Sequence, residues 1–134
     1  MTRPFSASIS KLRAVGLRPT RQRVALTKLL LSLGDQHFTA DWLFRKARSS
    51  GIQLSLATVY NTLNQFLKKG LLKEIILDSN KSYFDTNTDD HHHLFFESHN
   101  KLVDIPAGSI DISGLPSLPE GSEVTQIDVI IRVK

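Results

Sequence analysis

The sequence predicts an α+β protein in which four helices and a β-hairpin precede a small strand-rich domain. Between residues 8 and 70, apolar side chains recur three and four positions apart, which is the period of an amphipathic helix. After Gly70 the pattern changes to the two-residue alternation of strands. The length of 134 residues suffices for one medium domain or two small ones.

The first three helices are delimited by capping residues and by glycines. The first is expected over residues 8–15, and the hydroxyls of Thr20 and Thr39 are suited to cap the second and the third. Each of the three helices ends at a glycine: Gly16, Gly34 and Gly51.

The fourth helix, from Ser55 to Gly70, organises this half of the chain. Its apolar residues form one stripe: Leu56, Val59, Leu63, Phe66 and Leu67. Small, hydroxyl and amide side chains lie outside this stripe, and such groups can contact base edges without repelling phosphate. The residues expected at a DNA major groove are Ser55, Ala57, Thr58, Tyr60, Asn61 and Asn64. A solvated helix face has a similar composition, so the neighbouring segments decide the interpretation.

Two neighbouring features favour DNA binding. Residues 72–77 and 82–85 predict a hairpin around the turn 78–81, so that residues 1–85 form a winged helix-turn-helix domain. Residues 1–70 hold 12 Lys and Arg against 2 Asp (+10), and residues 71–134 hold 5 against 11 acidic residues (−6), which sum to +4. We therefore predict binding to double-stranded DNA. Cations of the basic turn would hold phosphates or a minor groove: Arg18, Arg21 and Arg23.

A polar hinge over residues 86–91 precedes a small α/β dimerisation domain with an antiparallel sheet, expected over residues 92–134. Three strands are expected in it: 93–97, 101–105 and 124–133. A short, weak helix is expected over residues 110–118. About 44 residues cannot bury much core alone, so we expect a homodimer in which a second sheet supplies the missing cover.

The histidine run at residues 91–93 predicts a metal site. In an extended run His91 and His93 lie on one face and His92 on the other, and two imidazoles with a carboxylate are good ligands for a divalent first-row ion. The expected donors come from both domains: His37 at the end of the second helix, Asp85, His91, His93 and Asp111. One shared ion would therefore fix the angle between the domains. The alternative is a histidine-rich surface loop, and His99 is expected to be a turn residue.

Several protein classes are excluded or disfavoured. The absence of cysteine excludes disulfides, thiolate chemistry and cysteine-ligated zinc. No apolar run approaches the ~20 residues of a membrane span, and the first residues lack a signal-peptide core, so a cytoplasmic protein without membrane contact is expected. We expect no enzyme activity, because the histidines lack an adjacent general base such as the H-E-x-x-H glutamate. A His/Asp metalloenzyme and a purely structural metal module are the alternatives from other classes.

Five segments resemble the ferric uptake regulator (Fur) family, in order and over nearly the whole chain. They are Gly-Leu-Arg-Pro-Thr-x-Gln-Arg at 16–23, His-x-Thr-Ala at 37–40, Ala-Thr-Val-Tyr-x-Thr-Leu at 57–63, Tyr-x-Asp at 83–85 and His-His-His-Leu at 91–94. The resemblance implies a dimeric, metal-responsive transcription factor with an N-terminal winged helix and a C-terminal dimerisation domain. It also implies that the five donors named above form the regulatory metal site and that Tyr60 contacts a base.

Departures from the family pattern are similar to its iron response regulator (Irr) branch. Phe96 and His99 replace the usual Cys-x-x-Cys pair, so no structural zinc held by four cysteines is expected. The Irr branch, which occurs in alphaproteobacteria, senses iron through haem. The resemblance thus implies an iron-responsive regulator of iron and haem genes, modulated by haem or by manganese, iron or zinc. Without cysteine, haem would need imidazole ligands, with His91, His92 and His93 as candidates. A manganese- or zinc-responsive repressor with no haem role is the alternative.

Overall fold

A computed structural model describes residues 5–78, 81–106 and 108–134 of the chain. The chain divides into two compact units, of which the first ends at Thr88 and the second begins at Asp89. This boundary falls inside the expected hinge over 86–91, and the domain limits of the sequence analysis remain predictions. Among the described residues, no helix is long and apolar enough to cross a membrane.

The first unit contains the four helices that the sequence predicts. They are α1 (Ser6–Ala14), α2 (Arg21–Leu33), α3 (Ala40–Ser49) and α4 (Leu56–Lys68). The hydroxyls of Thr20, Thr39 and Ser55 each accept a hydrogen bond from a backbone N–H in the first turn of α2, α3 and α4. The three predicted caps are therefore confirmed. Gly70 follows α4 with a φ of +76°, a conformation that favours glycine and ends the helix.

A three-stranded antiparallel sheet completes the first unit. Its strands are β1 (His37–Phe38), β2 (Lys73–Asp78) and β3 (Lys81–Asp85), in the order β1-β3-β2. The hairpin of β2 and β3 is the predicted wing, and two residues of its expected turn, 79 and 80, lie outside the described residues. The short strand β1 was not predicted. It places His37 beside β3, whereas the sequence analysis placed His37 at the end of the second helix.

The core of the first unit is made by the apolar faces of its helices. Val59, Leu63 and Phe66 of α4 are at most 1% exposed, and they pack in a cluster with Leu26 and Leu43 of α2 and α3. Burying an apolar side chain of this size stabilises a fold by roughly 1.5–3 kcal/mol. Because this stripe faces inward, the polar face of α4 is left at the surface.

The second unit is built on the strands β4 (His92–Phe96), β5 (Lys101–Ile105) and β6 (Ile130–Val133). Strand β4 is central: it pairs antiparallel with β5 and parallel with β6. The predicted strand over 124–133 is thus confirmed only in its last four residues. The weak helix expected over 110–118 is wrong, because these residues form no helix and Gly114, with a φ of +73°, and Pro116 interrupt the segment. The α+β class, with antiparallel pairing in both sheets, is confirmed.

Candidate metal centre and nucleic-acid interface

In the first unit, His37 and Asp85 form a pair of potential metal ligands. They are register partners on β1 and β3, and His37 Nε2 lies 3.1 Å from Asp85 Oδ2. Asp85 is 1% exposed, and its other oxygen, Oδ1, accepts a hydrogen bond from the backbone N–H of Asn87 at 2.8 Å. Burying a carboxylate is energetically costly unless it is paired with a cation or hydrogen-bonded. The two contacts of Asp85 meet this requirement, and they fix the orientation of its side chain.

In the second unit, two imidazoles converge on one carboxylate oxygen. His91 Nε2 and His93 Nε2 lie 2.9 and 3.2 Å from Asp104 Oδ1. Strand pairing produces this contact, because His93 of β4 lies directly opposite Asp104 of β5. The imidazole rings of His91 and His93 are 4.5 Å apart between centroids. The predicted side-by-side placement of these two histidines therefore agrees with the structure of this unit.

The other ring nitrogen of His91, Nδ1, also has a hydrogen-bond partner. His91 Nδ1 lies 2.6 Å from the backbone carbonyl oxygen of Asp89. A carbonyl oxygen can only accept a hydrogen bond, so Nδ1 carries the proton when the imidazole is neutral. The lone pair of the neutral ring is then on Nε2, the atom that faces Asp104. This is the usual arrangement of a metal-binding histidine, whose second N–H is donated to a carbonyl or carboxylate.

The acidic partner of the histidines differs from the sequence-based expectation. Asp111 was expected to be a ligand, but the structure places it in an exposed segment without helix or strand. Asp104, which the sequence analysis did not consider, is the carboxylate that contacts both imidazoles. A signal for Asp104 was present, because it is the acidic residue of the otherwise largely apolar strand 101–105. The ligand role of Asp111 stays a prediction.

The remaining histidines have other surroundings. His92 lies on the opposite face of β4 from His93, and its Nδ1 accepts a hydrogen bond from the backbone N–H of Val129 at 3.1 Å. This bond ties β4 to the residue before β6. His99 is exposed in the turn between β4 and β5, where its Nδ1 is 3.2 Å from the hydroxyl of Ser98. The three histidines 91–93 are therefore not all on one side of the sheet.

The chemistry of these donors fits a divalent first-row ion. Imidazole nitrogen and carboxylate oxygen are the ligands that zinc, manganese and ferrous iron accept, and no thiolate is available in this chain. The pair in the first unit offers one nitrogen and one carboxylate, and the cluster in the second unit offers two nitrogens and one carboxylate. Each set contains both ligand types that such ions bind.

The predicted DNA-binding face of α4 is exposed in the first unit. Ala57, Asn61 and Asn64 are exposed, and Tyr60 is 44% exposed. Ser55 lies at the start of the helix, where its hydroxyl is 2.9 Å from that of Thr58. Small, amide and phenolic groups are thus presented together on one helix face, with no carboxylate among them.

The arginines before and at the start of α2 are not equivalent. Arg18 and Arg21 are exposed, whereas Arg23 is half-buried. The side chain of Arg23 donates hydrogen bonds to the side chain of Gln65 and to the carbonyl oxygen of Arg18. Gln65, which no sequence motif indicates as functional, lies at the border of the exposed face of α4.

Comparison with known sequences gives one family. A model of the ferric uptake regulator family matches residues 14–130. The peroxide-responsive repressor PerR of Staphylococcus epidermidis is 36% identical over 104 residues, which cover 78% of this chain and 69% of that repressor. The chain spans about two thirds of the length of the curated relatives it matches.

Solved structures agree with this result. The ferric uptake regulator of Pseudomonas aeruginosa with manganese has a TM-score of 0.74 and 23% identity, covering 95% of this chain and 96% of that one. The ferric uptake regulator of Francisella tularensis with iron has a TM-score of 0.72 and 25% identity, covering 89% and 92%. The first similarity concerns the fold alone, and the second adds a modest sequence identity.

Proposed function

The chain belongs to the ferric uptake regulator family, and on this premise we propose that it is a homodimeric, metal-responsive regulator that binds an operator in double-stranded DNA. Family members regulate transcription and are not enzymes, which supports the expectation that this chain catalyses no reaction. A regulator of this kind works on DNA in the cytoplasm. Three parts of the molecule support the proposal: the histidine–aspartate donors, the exposed face of α4 and an apolar face of the second sheet.

The proposal of a metal response is supported most directly by the contacts of His91 and His93 with Asp104. With His91 Nδ1–H donated to a carbonyl, the Nε2 atoms and Asp104 Oδ1 form a preformed set of donors. We propose that these three residues bind a divalent ion together with His37 and Asp85, and Asp111 is kept as the alternative carboxylate. The ion would neutralise the carboxylates and join residues on both sides of the hinge, which gives a physical basis for a switch.

Iron is the signal that we propose, through a divalent ion or through haem. The missing cysteine pair and the histidine run, which resemble the Irr branch, support iron. The donor geometry favours a small ion, because His91 and His93 share one carboxylate while His92 lies on the other face of the strand. Haem ligation by His91, His92 or His93 therefore remains the alternative for the iron signal, and a manganese or zinc response is the alternative ion.

The DNA-binding role is assigned to the first unit. We propose that α4 reads bases in the major groove with Tyr60, Asn61 and Asn64, and that Arg18 and Arg21 hold phosphates. The hydroxyls of Ser55 and Thr58 and the methyl of Ala57 lie at the N-terminal end of the same face. Residues 1–70, with a net charge of +10, provide the electrostatic attraction.

A second copy of the chain is the proposed partner of the second sheet. Leu94, Val103 and Ile131 are neighbours across β4, β5 and β6, so their side chains lie on one face. Leu94 and Val103 are half-buried, and Ile131 is 42% exposed. An apolar sheet face that the chain leaves open in this way is suited to a symmetric dimer interface.

DNA binding during metal titration tests the proposal. The protein would first select a duplex from a random-sequence pool in the presence of Mn²⁺. Binding of that labelled duplex would then be followed by fluorescence anisotropy while Mn²⁺, Zn²⁺ or haem is added, with the haem Soret band recorded in parallel. We expect a divalent ion to change DNA affinity by at least about tenfold, which corresponds to a typical coupling free energy.

Matched variants assign the response to the site. The double substitution His91→Ala and His93→Ala should abolish the metal response, whereas His99→Ala, which alters an exposed turn histidine, should retain it. A response to haem that is lost with His91→Ala, His92→Ala and His93→Ala would establish the haem alternative instead. A protein that selects no duplex in the presence of Mn²⁺ would contradict the proposed function.

A further inference from the structure

Arg23, which was predicted to bind phosphate, makes its hydrogen bonds inside the first unit. Its Nε and Nη2 donate to Gln65 Oε1 at 3.1 and 2.9 Å, and its Nη1 donates to the carbonyl oxygen of Arg18 at 2.9 Å. Three of the five N–H groups of a guanidinium are thereby used. Arg21, two residues earlier, is exposed and shows none of these contacts.

We propose that Arg23 is a positioning residue that fixes the recognition helix α4 relative to the basic turn before α2. This inference rests on the proposed DNA-binding function and assigns Arg23 a role in specificity. Gln65 is 42 residues away in sequence, so its two hydrogen bonds with Arg23 join α2 directly to α4. The bond to Arg18 joins the same guanidinium to the turn.

The backbone of Arg23 is held as firmly as its side chain. Its N–H donates to the hydroxyl of Thr20 at 3.3 Å, as part of the α2 cap. Its carbonyl oxygen accepts a hydrogen bond from the hydroxyl of Thr27 at 2.7 Å. The guanidinium therefore extends from a fixed base, and its planar fork directs two donors at one oxygen of Gln65.

The contact lies where a small displacement would affect base recognition. Gln65 is one helical turn after Asn61, on the same side of α4. Asn61 is proposed to contact a base, and Arg18 is proposed to contact a phosphate. Hydrogen bonds to bases weaken steeply outside a narrow range of distance and angle, so both contacts require a fixed separation between the turn and the helix. The bonds of Arg23 to Gln65 and Arg18 provide that fixed separation.

The test compares four variants on two DNA probes. The probes are the duplex selected by the wild-type protein with Mn²⁺ and a pool of random duplexes of the same length. Arg23→Lys keeps the positive charge but lacks the fork, and Gln65→Leu removes the acceptor without changing any charge. Arg23→Lys combined with Gln65→Leu measures coupling, and Arg21→Gln is the matched phosphate-contact control. Affinity is measured across a range of salt concentrations, and thermal unfolding checks that each variant is folded.

A positioning role predicts one pattern and a phosphate contact another. Arg23→Lys and Gln65→Leu should each lower the preference for the selected duplex by about tenfold, and the double variant should lose little more. The salt dependence of random-pool binding should stay that of the wild type. Arg21→Gln should instead weaken both probes equally and reduce the salt slope by about 0.9.

The outcomes separate this inference from the proposed function. If the wild type discriminates between the probes and Arg23→Lys does so equally well, Arg23 has no positioning role. An unaltered preference in Gln65→Leu would overturn the inference in the same way. If the wild type selects no duplex, the proposed function fails before Arg23 is considered. A variant whose thermal transition is lost would be replaced by Gln65→Met, which also removes the acceptor and fills a similar volume.

Discussion

The two compact units of this chain bury their apolar residues in different ways. In the first unit the buried cluster runs from Leu12 to Phe84 and joins all four helices to the sheet. In the second unit the buried apolar residues among those described are Phe95, Leu102 and Ile105. Five large apolar side chains of the segment between β5 and β6 are exposed: Ile112, Leu115, Leu118, Val124 and Ile127. The first unit has a core of its own, whereas the second exposes more of its large apolar side chains than it buries.

The two units also differ in net charge. Residues 1–88 carry 14 Lys and Arg against 5 acidic residues, or +9, and residues 89–134 carry 3 against 8, or −5. The self-contained unit is thus the one that carries the proposed DNA-binding face. The acidic unit has the two histidines and Asp104 that suit a cation. The proposed DNA-binding face and the histidine–aspartate cluster of the second sheet therefore lie in units of opposite net charge.

Loss of a core residue in the first unit should have the largest effect. Leu63→Ala removes a side chain that is 0% exposed in α4, and we expect the free energy of unfolding to fall by about 3 kcal/mol because a cavity remains. The cost should not depend on protein concentration, since the affected core lies within one unit. Urea denaturation at two concentrations measures both properties.

Tyr60→Ala is the control for this prediction. Tyr60 precedes Leu63 by one turn of α4 and is 44% exposed, so its replacement should cost less than about 1 kcal/mol. Equal costs for the two variants would show that the buried stripe of α4 has been misidentified.

A charge on the apolar face of the second sheet should weaken the proposed homodimer. Ile131→Asp places a carboxylate beside Leu94, and burying that charge in an interface is costly. We expect the dimer dissociation constant, measured by sedimentation equilibrium, to rise by about a hundredfold. Ile76→Asp alters an isoleucine of the first unit that is 62% exposed and should leave the constant unchanged. If the two variants behave alike, this face is not the dimer interface.

The helices of the first unit could be predicted because their signals are local. A cap needs only a hydroxyl at the residue before the first turn, and Thr20, Thr39 and Ser55 all supply one. The two-residue strand β1 could not be predicted, because it exists only through pairing with β3. The sequence therefore predicts the wrong secondary structure for His37, at the end of a helix and not in a strand. It does predict that His37 and Asp85 belong to the same candidate metal site.

The second unit was predicted less well for the same physical reason. Its sheet depends on register between distant segments, and His93 faces Asp104 only because β4 and β5 pair in one particular alignment. The expected helix over 110–118 rested on a weak pattern, which Gly114 and Pro116 override. Arg23 shows the same limit, since its partner Gln65 is distant in sequence and no spacing rule connects them.

Replacing Asp104 should change the affinity for a metal ion by less than the changes above alter stability or dimerisation. The substitution tests whether Asp104 or Asp111 is the carboxylate ligand of the proposed metal ion. Asp104→Asn keeps the shape of the side chain but removes the negative charge near His91 and His93, so the affinity for Mn²⁺ should fall by about tenfold. Asp111→Asn is the matched control and should leave the affinity unchanged, because Asp111 lies in an exposed segment. Isothermal titration calorimetry at constant pH measures both. The opposite result would restore Asp111 as the ligand and would mean that strand pairing holds Asp104 beside the histidines only to orient their rings.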